Sequence, residues 1–131
     1  LLGSVEFHDT VVVADLEAGI GTLTRLGDKV VDTVLVVVEP TPKSIEVGTR
    51  ATALVREKSL GRVVVVARVR GEEDLAAVQA AFPDDEVVAI PDDPAVVQAD
   101  RHGLAALDAS PQAPAVQALV RLAEGLLPIP A

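Results

Sequence analysis

Apolar residues gather into four short continuous runs, at 11–15, 33–39, 62–67 and 86–90. None of them alternates with polar positions, so each reads as a strand buried on both faces. Between and after them the spacing turns helical. Ile45, Gly48, Ala51 and Val55 recur on one face of a segment running from Ser44 to Lys58. Thr41, Pro42 and Ser44 supply cap and first-turn chemistry there. Leu75, Val78 and Phe82 line a second helix over Glu72–Ala81, behind an acidic first turn that suits the helix dipole. Val116, Leu119, Val120, Ala123 and Leu127 form the clearest amphipathic stripe, predicting a helix from Gln112 to Leu127, with Pro128 and Pro130 stopping it. A short helix from Ala95 to Asp100 follows Pro94. Gly19, Gly21 and Gly27 make residues 19–32 a mobile loop or a frayed helix. This alternation predicts an α/β fold: a mostly parallel sheet of about four strands with helices on both faces.

Length sets one domain: 131 residues, with residues 11–127 as its body, 1–10 as an appended or disordered start and 128–131 as a tail. Half the chain is apolar, mostly Val, Ala and Leu, and only Phe7 and Phe82 are aromatic. A core of small branched side chains suits a sheet covered by Ala-rich helices. The net charge of −9 argues against nucleic acid or an anionic membrane surface as partner. The longest apolar run, Val34–Val38, is too short to span a bilayer. Cysteine is absent, which removes disulfides and thiolate metal sites and makes a cytoplasmic location the expectation. His8 and His102 lack ligand-like spacing.

The segment Asp15-Leu16-Glu17-Ala18-Gly19 sets a carboxylate at the end of an apolar run with a glycine four residues on. Phosphate-binding α/β proteins use such a pair, the Asp reaching a metal-bound water and the Gly letting its N–H approach a γ-phosphate. The same spacing equally describes an Asp that caps a turn and a Gly that ends it. Val36-Val37-Val38-Glu39-Pro40-Thr41-Pro42 ends a strand in an acid before a stiff turn. Arg68 and Arg70 stand at the end of the third strand, and Ile90-Pro91-Asp92-Asp93-Pro94 at the end of the fourth. Ligands of open α/β sheets bind beyond such carboxyl ends. Solvated strand ends and capped turns give the same residues. No G-x-x-x-x-G-K-[ST] loop occurs anywhere in the chain.

In order, the segments DLEAG (15–19), VDTVLVVVEPTPKSIE (31–46), VVVVARVR (63–70) and IPDDPAVVQADRHG (90–103) resemble the carbon-monoxide-dehydrogenase maturation ATPases. These are grouped with the septum-site-determining and chromosome-partitioning ATPases, the deviant Walker A class of P-loop proteins. The resemblance runs from about Val11 to the last helix. It implies the back half of a P-loop fold that binds ATP with Mg²⁺, dimerises face to face and switches partner affinity on hydrolysis. Asp15 matches the catalytic position that contacts the magnesium-site water, and Gly19 the γ-phosphate-sensing glycine. Pro91 and Asp92 match the segment near the adenine, and Arg68 lies at the base-contacting strand end. The chain departs from the pattern in three ways. The phosphate-binding loop expected before Val11 is missing, Ala67 replaces the usual Asn, and the nickel-holding cysteines are absent.

Two functions follow. The chain is the carboxyl-terminal part of an ATP-driven maturation or partitioning switch, hydrolysing ATP only when completed by a phosphate-loop half. Alternatively it is a non-catalytic α/β module for protein interaction or dimerisation that has lost the nucleotide. A receiver-like domain with Asp15 as phosphoacceptor lacks the matching acidic pair and late Lys. A strand at 11–15 without its neighbour would have a bare apolar edge, which predicts self-association, pairing with a separate polypeptide, or a rearranged sheet.

Overall fold

The computed structural model describes residues 10–16 and 31–127. Three parallel strands form the sheet in the order β1 (Thr33–Val38), β2 (Arg62–Val69), β3 (Glu86–Pro91). The helices of the described residues are, in chain order, α1 (Pro42–Glu57), α2 (Glu72–Ala81), α3 (Pro94–Arg101), α4 (Ala106–Ala109) and α5 (Pro114–Leu126). The register aligns Leu35 with Val64 and Val66 with Val88. The central strand is buried at four consecutive positions, Val64 to Ala67, which is why its sequence is continuously apolar.

One face of the sheet carries Val36, Val38, Val65, Ala67 and Val69, packed with Val78 and Phe82 of the α2 region and with Ile45 and Ala51 of α1. Gly48 lets α1 approach closely. A Cβ there would lie 2.6 Å from Val38 Cγ1 and 3.0 Å from Phe82 Cζ. The other face is covered by α5, which buries Ala115, Val116 and Ala118. That cover stops short of β1, where Val37 is 72% exposed and Leu35 39%.

Local chemistry sets the helix ends. Thr41 caps α1, its Oγ1 accepting from Ser44 N at 3.3 Å, and Pro42 fills the first turn. The helix ends in a Schellman motif. Ser59 sits at φ 49°, Ser59 N donates to Arg56 O at 3.1 Å, and Leu60 N donates to Val55 O at 3.0 Å. Leu60 and Val55 are both fully buried and share a small apolar cluster, the hydrophobic contact this motif favours.

The expected strand at 11–15 is not a strand. The segment has no regular secondary structure, with Val13 86% exposed, and the sheet of the described residues has three strands rather than four. Valine's strand preference expresses fit to a pleated, half-buried surface with a paired backbone. Among the described residues no strand neighbours this run. Just after it, Leu16 packs against the buried Val55–Leu60 pair. Among the described residues β1 and β3 are the outer strands of the sheet. The other elements keep their expected places with small shifts: α1 begins at Pro42, α3 covers Pro94–Arg101, α5 begins at Pro114, and β2 extends to Val69. The single-turn α4 had no periodic signal. The glycine-rich stretch expected to be a loop falls mostly outside the described residues. No described helix is long and apolar enough to cross a membrane.

Candidate functional site at the carboxyl ends of the strands

Parallel pairing brings the last residues of all three strands to one end of the sheet. Glu39 follows β1, Arg68 lies in β2, and Asp92 follows β3. The Arg68 guanidinium donates to both acids, from Nε to Asp92 Oδ1 at 3.1 Å and from Nη1 to Glu39 Oε1 at 3.4 Å. All three side chains are about half exposed or more. The turns behind them are fixed by backbone contacts. Asp92 N donates to Val69 O at 2.7 Å, carrying the β2–β3 ladder one residue past the strand. Glu39 N donates to Ser44 Oγ at 2.9 Å, closing the turn into α1.

Asp93 anchors the site from behind. Its Oδ1 accepts from Ala95 N at 2.9 Å, capping α3, and its Oδ2 accepts from Ala115 N at 3.0 Å, near the start of α5. Ala113 at the cap position of α5 has no side-chain oxygen, so Asp93 supplies the missing acceptor from 22 residues away. One carboxylate thus serves two helix N-termini, where its negative charge meets the positive ends of both dipoles.

Beside this rim, Asp74 accepts from Arg70 N at 2.9 Å and from Arg70 Nε at 3.0 Å. The Arg70 side chain, then its backbone N–H, hold the Asp74 carboxyl below its ordinary pKa, and the same pairing raises that of Arg70. An open depression of about 340 Å³ is walled by Arg70, Gly71, Glu73 and Asp74. A second groove, of about 220 Å³, lies at the opposite end of the sheet under α5, against Arg62, Glu86 and Arg121, and contains none of the expected site residues.

Of the residues singled out from sequence, Arg68, Pro91 and Asp92 come together here. Pro91 ends β3 opposite Val69, one residue beyond the Arg68–Ile90 pair. Asp15 is exposed, and among the described residues no hydrogen bond or ion pair links it to Arg68 or Asp92. Gly19 lies outside the described residues. His102 is occupied structurally, its Nδ1 2.8 Å from Gln98 O. Sequence reasoning missed the paired service of Asp93. The Asp-Pro step at 93–94 announces a cap for α3, but nothing local announces its second partner on α5.

The rim is rich in acceptors. Glu39 and Asp92 flank a single Arg, and Asp74, Glu72 and Glu73 stand close by in the chain and on α2. Such a rim suits hydroxyl or amino donors. A triphosphate would meet carboxylates here, and the sequence has no G-x-x-x-x-G-K-[ST] loop to receive it. Among the described residues no cluster of three His, Asp or Glu side chains is arranged to hold a metal ion. Among the described residues the rim thus offers a guanidinium between two carboxylates and no group of side chains arranged around a metal ion.

No family model matches the chain. One curated relative is an uncharacterized ATP-binding protein of Methanocaldococcus jannaschii, 41% identical over 69 residues. The match covers 50% of this chain and 26% of that protein, so the chain corresponds to about a quarter of the relative's length.

Proposed function

We propose that the chain is the carboxyl-terminal part of a cytoplasmic ATP-dependent switch protein of the maturation and partitioning type. It contributes the nucleoside side of the site through Arg68, Pro91 and Asp92. The observation that carries this reading is the convergence of these three residues at the carboxyl ends of a parallel sheet. The ATP-binding name of the relative supports it. In this reading hydrolysis needs a phosphate-binding loop that the sequence does not contain. In the completed, dimeric hydrolase Asp15 would hold the place of the magnesium-site acid and Gly19 that of the γ-phosphate contact.

Calorimetric titration tests the proposal. The chain alone should bind adenosine and Mg·ATP with equal, millimolar affinity, because the phosphates contribute nothing. Arg68→Ala should abolish both. Micromolar affinity for Mg·ATP, or binding indifferent to Arg68→Ala, would overturn it.

A second reading, a non-catalytic interaction module, draws on the uncovered apolar surface of β1. Its mark would be no adenosine binding at any concentration together with association through β1.

A further inference from the structure

We propose that Asp93 is a positioning residue that couples the rim at Arg68 and Asp92 to α5, so that a ligand on the rim tightens the seat of that helix and a loosened helix weakens the ligand. The inference rests on the proposal that Arg68, Pro91 and Asp92 meet the nucleoside. Its geometry lies in one short turn. Asp92 N donates to Val69 O at 2.7 Å, which ties the end of β3 to β2, and the Asp92 carboxylate accepts from Arg68 Nε at 3.1 Å. The next residue takes no part in that pair. Asp93 spends its two oxygens on Ala95 N at 2.9 Å and Ala115 N at 3.0 Å. Adjacent side chains thus hold different things, one the rim and the other two helices. A planar trans peptide joins them, so the backbone of one does not shift without that of the other.

Helix α5 depends on this grip. Ala113 at its cap position has no side-chain acceptor and Pro114 brings no N–H, so Ala115 carries the first N–H of the helix. Among the described residues no other hydrogen bond joins α5 to the sheet or to its turns. The apolar seat near that end is made by Ala115, Val116 and Ala118, small side chains that each bury little area. From Ala118 to Leu126 a groove of about 220 Å³ opens between α5 and the amino end of the sheet. The helix is thus fixed at its Asp93 end and looser at the other. A ligand that needs Asp92 in its present place binds best while Asp93 is anchored, because a freed turn has to be ordered again on binding. Reciprocity then requires the bound ligand to strengthen the Asp93–Ala115 contact by the same factor.

Adenosine is the probe, and amide hydrogen exchange of the isotope-labelled chain, followed by nuclear magnetic resonance, is the readout. The reference amide is Leu60, whose N–H donates to Val55 O at the far end of α1. Near saturation, adenosine should slow exchange at Ala115 about fivefold more than at Leu60. Asp93→Ser, which keeps a cap for α3 and falls short of Ala115, should weaken adenosine by the same factor while the cooperative thermal transition is kept. Equal slowing at both amides, the mark of a merely structural Asp93, would overturn the coupling. So would Asp93→Ser binding adenosine as the parent does. If the parent takes up no adenosine, the nucleoside reading fails by itself and the ligand-free chain decides the coupling. There Arg68→Ala, which frees the Asp92 carboxylate, should speed exchange at Ala115 about twofold relative to Leu60. No change at Ala115 would overturn the coupling in that case too.

Discussion

Asp93→Ala should cost the chain about 2 kcal/mol of stability. Each N-cap oxygen lost costs ~1 kcal/mol, and Asp93 supplies one to α3 at 2.9 Å and one to the start of α5 at 3.0 Å. The two losses should add, because each leaves a different helix with an unpaired N–H. Asp93→Asn separates the contributions. Its single carbonyl oxygen keeps one cap, while its amide group faces the other N–H as a second donor, so ~1 kcal/mol should be lost. Asp93→Ser should cost about the same, keeping the near cap at Ala95 but falling short of Ala115. The control is the adjacent Asp92→Ala, whose side chain pairs with the exposed Arg68 and should cost under ~0.5 kcal/mol. Urea unfolding followed by circular dichroism reads these differences, and a 2 kcal/mol loss should lower Tm by roughly 8 °C. A change under ~0.5 kcal/mol for Asp93→Ala, or an Asp93→Asn chain as stable as the parent, would refute the double cap.

Two further outcomes follow. Ser59→Gly should stabilise the chain by roughly 0.5–1 kcal/mol, because Ser59 holds the left-handed position (φ 49°) that closes α1 and only glycine does so without a Cβ penalty; no gain in urea midpoint would count against that geometry. The Asp74 carboxyl, held below its ordinary pKa by the Arg70 side chain and backbone N–H, contributes stability that is complete above its unfolded pKa and is lost as pH falls through its folded one; Asp74→Asn should therefore flatten the acid limb of the stability–pH curve, and an unchanged limb would show the pairing to be energetically silent.

Much of this fold was legible in the sequence because its strands are buried on both faces. Continuous valine runs at 33–39, 62–67 and 86–90 have no other economical use, and the Asp-Pro and Thr-Pro steps mark where α3 and α1 begin. The run at 11–15 carries the same local signal and forms no strand. Pairing is a property of the neighbour, and valines 11–13 do not encode whether one exists. The placement of the strand ends was legible to the same extent: Arg68, Pro91 and Asp92 stand together because parallel strands align their carboxyl ends. The link from Asp93 to Ala115 depends on where α5 crosses the sheet, which no local spacing reports. Asp15 and Gly19 have no geometric test within the described residues beyond the exposure of Asp15.

The two margins of the sheet differ in what they let happen next. In β3 the N–H of Asp92 points inward to Val69, so the preceding position, Pro91, faces outward and has no N–H to give. Glu86 stands at the other end of that margin, engaged with Arg62. Head-to-tail stacking of copies, β1 of one on β3 of the next, would have to form at this donor-poor border every time. The missing donor makes this margin of the sheet a poor template for any further strand, so Pro91 guards the outer side of β3 by what it lacks.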